Sequence, residues 1–450
     1  MKVPFEFLSR ILSRESGRTF AVGAGSVFLL KIFGAFLMLL GQIIAARLLG
    51  AAEYGYFAYA QSVLLIITVF TILGYDNSLL RFVPEYRVNG QWPLLKGVLT
   101  FSFQRSLFAS LLAAGLGALL LVADRPRFVA AQRDALWVML LCIPLYTLTM
   151  VRQAALRGFR HVVLAEFPES VVRPLLFIPL LMFVSRIHSL TAETAWWCYL
   201  VVVLVAFLLG TWMLVRILPP EFERAAAEYR SAEWRRISTD MMWMNAMNIV
   251  FNQAAVVLLG FFSPPEEVAL FSAAARVAFF VSFALFAVNS IAAPLISEFY
   301  YGRRMRELER IMAVSAALLA ATTLFADLFL LVFGKTVLGA FGPPFRKAFL
   351  LLLLLMFGHT IKSFSGPASY LLNMSGRQRL TRRMMAGFVL FHLVAGAPII
   401  SRYGAVGAAA VSAATLSLWN LTLAAAAYKV VGVDSTFFTL LRLKKLFAGA

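Results

Sequence analysis

The stretch Leu48–Ala60, LLGAAEYGYFAYA, returns in altered form as Leu258–Ala274, LLGFFSPPEEVALFSAA, with Glu53 and Glu267 in matching places ahead of an aromatic-containing helix start. Working outward, the register holds. Glu85-Tyr86 answers Glu298-Phe299, Gly158 in LRGFR answers Gly376 in MSGRQR, and Ser185-Arg186 answers Ser401-Arg402. A soluble enzyme has no need of such halves, whereas two pseudo-symmetric lobes around a pathway are how many transporters are built.

Composition makes the repeat a membrane repeat. The 450 residues are 61% hydrophobic and 14% charged, against roughly 25% charged in soluble domains. A spanning helix needs about 20 apolar residues, and twelve stretches qualify: 20–46, 55–80, 94–122, 134–152, 162–184, 194–218, 237–262, 268–296, 309–332, 346–372, 382–401 and 404–430. The short alternating runs of a transmembrane barrel are missing. The expected fold is therefore an all-α polytopic membrane protein in two six-helix lobes, 20–218 and 237–431, joined by a cytoplasmic linker at 219–236.

Most of the 41 Lys and Arg fall on the tails and even-numbered loops, which places both termini in the cytoplasm by the positive-inside rule. The net charge of +19 reads as topology, not as nucleic-acid binding. Segment 1–19 carries Arg10, Arg14 and Arg18 at four-residue spacing and is expected to be an amphipathic helix on the inner leaflet. Segment 432–450, with Arg442, Lys444 and Lys445 among apolar residues, could do the same; ordinary basic flanking is the alternative for both. The first span, which contains Lys31, reads as a permanent helix and not a removable signal.

Enzymatic signatures are absent. There is no phosphate loop with a Lys-Ser/Thr ending, Cys142 and Cys198 lie in apolar segments, and His161, His188, His359 and His392 lack metal-ligand spacing. No catalytic residue, metal or cofactor is expected.

Function must then sit in the polar groups that a bilayer makes expensive, about 2.5 to 3.5 kcal/mol each on insertion scales. Lys31, Arg105, Arg173, Arg276 and Lys362 fall inside spans, Arg105 close to an interface. Lys31 and Arg173 from one lobe and Arg276 and Lys362 from the other suit a basic cavity for an anionic substrate. Arg47 and Arg152, at expected span ends near cleft mouths, are second-tier candidates. The alternative is that each cation is met by a carboxylate, with Asp76, Glu166, Glu169, Asp240 and Asp327 available. Asp76, Glu166 and Asp327 are also candidates for ion coupling, since a buried acid can take up and release a proton. Pro144, Pro174, Pro179, Pro294 and Gly366-Pro367 interrupt spans where bending could open a path.

Phe333–Arg379, FGKTVLGAFGPPFRKAFLLLLLLMFGHTIKSFSGPASYLLNMSGRQR, resembles the C-terminal-lobe signature of bacterial polysaccharide flippases: a Phe-Gly turn, a Gly-Pro step, a Leu run and a Met-Ser-Gly-x-x-Arg turn. ARLLGAAEYGYFAYAQS (46–62) followed by RFVPEY (81–86) resembles that family's first-lobe pattern. The family sits in a superfamily with multidrug extruders and lipid II flippases. The resemblance implies an inner-membrane protein that flips an undecaprenyl-diphosphate-linked oligosaccharide for O-antigen or exopolysaccharide assembly, by alternating access around a basic cavity. It implies a lipid-linked glycan and membrane lipids as partners, with a polysaccharide polymerase and chain-length proteins as further ones. Twelve spans, where the lipid II branch typically has fourteen, argue against that branch. Two alternatives remain: a cation-coupled drug or metabolite exporter of the same fold, and a non-transporting scaffold for a polysaccharide assembly complex.

Overall fold

A computed structural model describes residues 15–123 and 129–439, the side chains of some of them excepted. The expected amphipathic features at Arg10 and Arg14, and at Arg442, Lys444 and Lys445, lie outside the described residues. Every regular element among the described residues is helical.

Nine of these helices are long and apolar enough to cross a bilayer. Two of the nine are double. Helix Glu15–Thr71 bends at Gly50 (φ 77°) and helix Gln378–Val431 at Gly404 (φ 55°), backbone conformations that a side chain disfavours. The eighth expected span is an α-helix, a 3-10 turn and a second α-helix, Pro265–Phe279, Phe280–Ser282 and Phe283–Tyr301. Counting each half of the double helices and this broken one gives the twelve places read from the sequence.

Boundaries differ where glycine intervenes. The expected loop between the first two spans is a kink inside one helix, because a single Gly50 suffices to redirect the chain. The expected second span, 55–80, stops at Thr71, where Leu73 (φ 56°) and Gly74 (φ 78°) turn the chain into helix Tyr75–Val88. The repeat is visible in the helix ends themselves. Helices end at Val88 and Tyr301 and restart at Trp92 and Met305, and they end at Gly158 and Met374 and restart at Val162 and Gln378.

By compactness the chain forms two units that are not contiguous in sequence. One comprises residues up to Ala45 with Ile67–Asn245; the second comprises Ala46–Ile66 with Ala246 onward. Residues 46–66 thus group with the second half, and the expected linker groups with the first. In the first unit, Lys96 Nζ donates to the carbonyls of Glu223 (2.8 Å) and Ala225 (3.0 Å), and Glu228 N–H donates to Pro93 O at 3.0 Å. Trp234, with no exposed surface, donates its indole N–H to Tyr86 Oη at 3.0 Å. The charged segment 219–236 is therefore a strap fastened to the first unit rather than a loose tether.

Each unit has its own core. Tyr75, Leu79, Phe82, Leu95, Val98 and Leu156 pack around Trp234 in the first; Ile296, Leu308, Met312, Leu371 and Leu423 pack together in the second. Lipid tails are as apolar as these side chains, so close packing and hydrogen bonds between helices, and not burial from water, hold such cores.

Candidate functional site

Two carboxylates in the first unit organise its buried charge. Helix Val162–Phe167 carries Glu166, and the π-helical turn Pro168–Val172 that follows carries Glu169. Such single π turns often mark functional positions because the extra residue re-aims the side chains after it. Proline at 168 lacks the N–H that a regular helix would use there.

Glu169 is 5% exposed and sits between two arginines. Its Oε1 accepts from Arg152 Nη2 at 3.0 Å, and its Oε2 lies 3.3 Å from Arg173 Nη1. Arg152 Nη1 also donates to the carbonyls of Ala206 (3.0 Å) and Phe207 (2.9 Å), tying helix Ala130–Gly158 to helix Ala192–Ile217. The approach needs glycine: a Cβ at Gly210 would fall inside the Arg152 guanidinium. Arg173 packs over the rings of Tyr146 and Tyr199, at 5.7 and 5.8 Å from their centroids, an arrangement that favours a desolvated guanidinium.

Glu166 is buried too, and its partners face outward. Arg157 Nη2 donates to Glu166 Oε1 at 2.6 Å, and Lys31 Nζ lies 3.8 Å from the same oxygen. The Lys31 side chain is 55% exposed and that of Arg157 33%. Four cations, Lys31, Arg152, Arg157 and Arg173, thus meet two carboxylates, and the cluster keeps a net positive charge.

The second unit presents cations differently. Arg276 Nη2 donates to Gln61 Oε1 at 2.7 Å, and the arginine also interacts with the buried Tyr54 hydroxyl. Both of these partners are uncharged, and no carboxylate lies within 4.0 Å of the guanidinium among the described residues. Lys362 is half-buried near the end of helix Phe349–Phe364, with no carboxylate within 4.0 Å among the described residues. On helix Met305–Gly339, Asp327 accepts from Thr360 Oγ1 at 2.7 Å, while its other oxygen is buried without a hydrogen-bond partner among the described residues. Glu267 has a backbone role: its Oε2 accepts the Ala405 N–H at 2.7 Å, capping the helix that resumes after Gly404.

The sequence-derived candidates separate accordingly. Lys31, Arg152, Arg173 and Glu166 come together in the first unit. Arg152 is no mouth residue: the expected span ended there, but the helix continues to Gly158 and leaves Arg152 with no exposed surface. Arg47 lies exposed one turn before the Gly50 kink. Asp76 starts helix Tyr75–Val88 and accepts from Asn245 Nδ2 at 2.8 Å, with its Oδ1 buried and without a hydrogen-bond partner among the described residues. Arg105 is exposed beside Phe101. Arg157 and Glu169 were not among the site candidates; the Glu166/Glu169 spacing on one helix turn was the available signal.

Solved structures share this arrangement of helical spans in two units. The fold is similar to a multidrug resistance MATE family transporter of the MOP superfamily in its inward-facing conformation (TM-score 0.72, 15% identity, 88% of this chain and 96% of that one). It is similar to the lipid II flippase MurJ (0.68, 14%, 94% and 92%) and to a MOP superfamily transporter from Pyrococcus furiosus (0.57, 15%, 94% and 96%). No curated protein matches significantly in sequence. Residues 20–300 match the family described as "Polysaccharide biosynthesis protein", and the chain belongs to that family. It is a multi-pass membrane protein.

Proposed function

We propose that this protein is a flippase that carries an undecaprenyl-diphosphate-linked oligosaccharide across the bacterial inner membrane by alternating access, in O-antigen or exopolysaccharide assembly. The observation that carries this reading is the surplus of positive charge in a chain of the polysaccharide biosynthesis family: Lys31 and Arg157 stand on the accessible side of the first-unit cluster, and Arg276 has neutral partners in the second, with no carboxylate within 4.0 Å among the described residues. A diphosphate is the anion such groups recognise, through charge-assisted hydrogen bonds from forked guanidinium donors.

Within that reading the roles divide. Lys31, Arg157, Arg276 and Lys362 contact the diphosphate-sugar head, with Arg47 as an exposed helper. Arg152 and Arg173 act through Glu169 as positioning residues, because both are buried against that carboxylate and Arg152 is bonded to two carbonyls as well. Asp76 and Asp327 are the acids suited to carry a coupling proton, since each is held by an uncharged partner, while Glu166 is held by two cations. In this reading both termini lie on the cytoplasmic side, as the distribution of Lys and Arg favours, and a polymerase and chain-length proteins are the expected downstream partners.

The test is the leaflet distribution of undecaprenyl-diphosphate-linked glycan in cells lacking the protein, read with an impermeant sugar-modifying enzyme. Cytoplasmic-side accumulation, reversed by wild type but not by Lys31→Ala or Arg276→Ala, is the expected result. Normal delivery to the periplasmic leaflet would remove the flippase reading and leave the exporter and scaffold alternatives.

A further inference from the structure

Arg87, Trp92, Phe159, His161, Ile217 and Pro219 line a cavity of about 120 Å³ in the first unit, none of them a member of the charge cluster. Three chain reversals converge there. They are the link from helix Tyr75–Val88 to Trp92, the link from Gly158 to Val162, and the exit of helix Ala192–Ile217 into Pro219. Helix ends of this kind lie where the hydrocarbon core gives way to head groups, and a tryptophan at that level is the usual interfacial residue.

The side chains supply donors without a counter-charge. Arg87 Nη1 donates to Phe159 O at 3.0 Å, and the guanidinium lies 5.8 Å from the Phe159 ring centroid. That clamp fixes the fork, while its Nη2 and Nε have no protein acceptor among the described residues. The same holds for the Trp92 indole N–H and the His161 ring. No carboxylate lines the cavity. At about 30 Å³ per water, the space holds roughly four waters, enough for a phosphate and far too little for an oligosaccharide.

We propose that this cavity binds the phosphate of an anionic phospholipid, seated between the Arg87 fork, the Trp92 N–H and His161, with the acyl chains lying along the lipid-facing helices. Basic pockets between spanning helices are suited to such head groups because charge and acyl packing act together. The site shares no residue with the proposed head-group contacts and does not depend on the flippase reading: a protein of this fold with any other cargo would keep it.

Native mass spectrometry of the purified full-length protein tests this, with phosphatidylglycerol, phosphatidylcholine and inorganic phosphate as probes. Wild type is expected to retain phosphatidylglycerol over phosphatidylcholine, and Arg87→Gln to lower that retention by about tenfold, the loss of one charge-assisted contact. A second variant, Trp92→Phe with His161→Gln, leaves the Arg87–Phe159 clamp intact and is expected to lose the preference as well, so the test survives if Arg87→Gln fails to fold. Displacement by inorganic phosphate would support a site reading phosphate alone, and retention against it would support a lipid site. Equal retention of the two lipids by wild type, or an unchanged phosphatidylglycerol preference in both variants, would overturn the proposal.

Discussion

Arg152 and Glu169 form an ion pair at 3.0 Å in which the arginine has no exposed surface and the glutamate 5%. The pair joins three helical segments, because the same guanidinium also reaches two carbonyls of a third helix. A charge so placed is held by its partners, and water cannot replace them.

Removing the glutamate alone should therefore cost more than removing it together with Arg152. Glu169→Ala leaves Arg152 and Arg173 facing one another without an anion, and breaking a buried pair costs about 3 to 5 kcal/mol. Arg152→Met with Glu169→Met should be milder than Glu169→Ala, because one buried cation, Arg173, then lacks its anion instead of two. Thermal unfolding of detergent-purified protein is the measurement; a double variant less stable than Glu169→Ala would contradict it.

Gly210→Ala should act on the same pair from the other side. Its methyl would occupy the space of the Arg152 guanidinium, and overpacking of this kind costs about 1 to 3 kcal/mol. Gly115→Ala, at a helical glycine with nothing within 4 Å of the added atom, is the control expected to be neutral. Membrane accumulation and unfolding temperature should both fall for the first and hold for the second.

These relationships mark the limit of what the sequence discloses. Hydropathy and the repeat reach the spans and their order because a bilayer allows few solutions for a backbone, and the turns at Gly158 and Gly376 were legible as matching motifs. Hydropathy also misplaced Arg152: it ended a span where polar residues begin, while the helix runs on to Gly158 and a glutamate from the next helix meets the arginine. Lys31 and Glu166 lie far apart in the chain, and their meeting depends on helix rotation, which a nearly uniform apolar sequence barely records. The basic surplus was legible; which cations are committed to protein and which are accessible was not.

Lys31→Ala and Arg157→Ala should separate folding from transport. Lys31 is half-exposed and its pair is 3.8 Å long, so its loss should change stability by less than about 1 kcal/mol. Loss of a charged contact worth about 1.5 to 3 kcal/mol to the substrate lowers glycan delivery roughly tenfold to a hundredfold. Arg157→Lys should restore part of the activity by keeping the charge without the fork. Surface glycan yield, normalised to protein level, reads this out, and full delivery by a stably inserted Lys31→Ala/Arg157→Ala double variant would remove the pair from the substrate path.

Asp76→Asn and Asp327→Asn test the coupling roles against Glu166→Gln. Each aspartate is held through a neutral donor, from Asn245 at 2.8 Å and Thr360 at 2.7 Å, and each has a second oxygen buried without a hydrogen-bond partner among the described residues. An amide keeps an acceptor for the same donor and fills the same space, so both variants should insert and fold. Neither can release a proton. If these acids couple transport, glycan delivery in everted vesicles should fall and lose its response to a collapsed pH gradient in one or both variants. Glu166→Gln should behave otherwise: it frees Arg157 and Lys31 from their shared carboxylate, which raises the positive charge of the cluster and tightens substrate retention while the gradient response persists. Both aspartate variants responding to the gradient as wild type does, at wild-type rates, would exclude them as coupling groups.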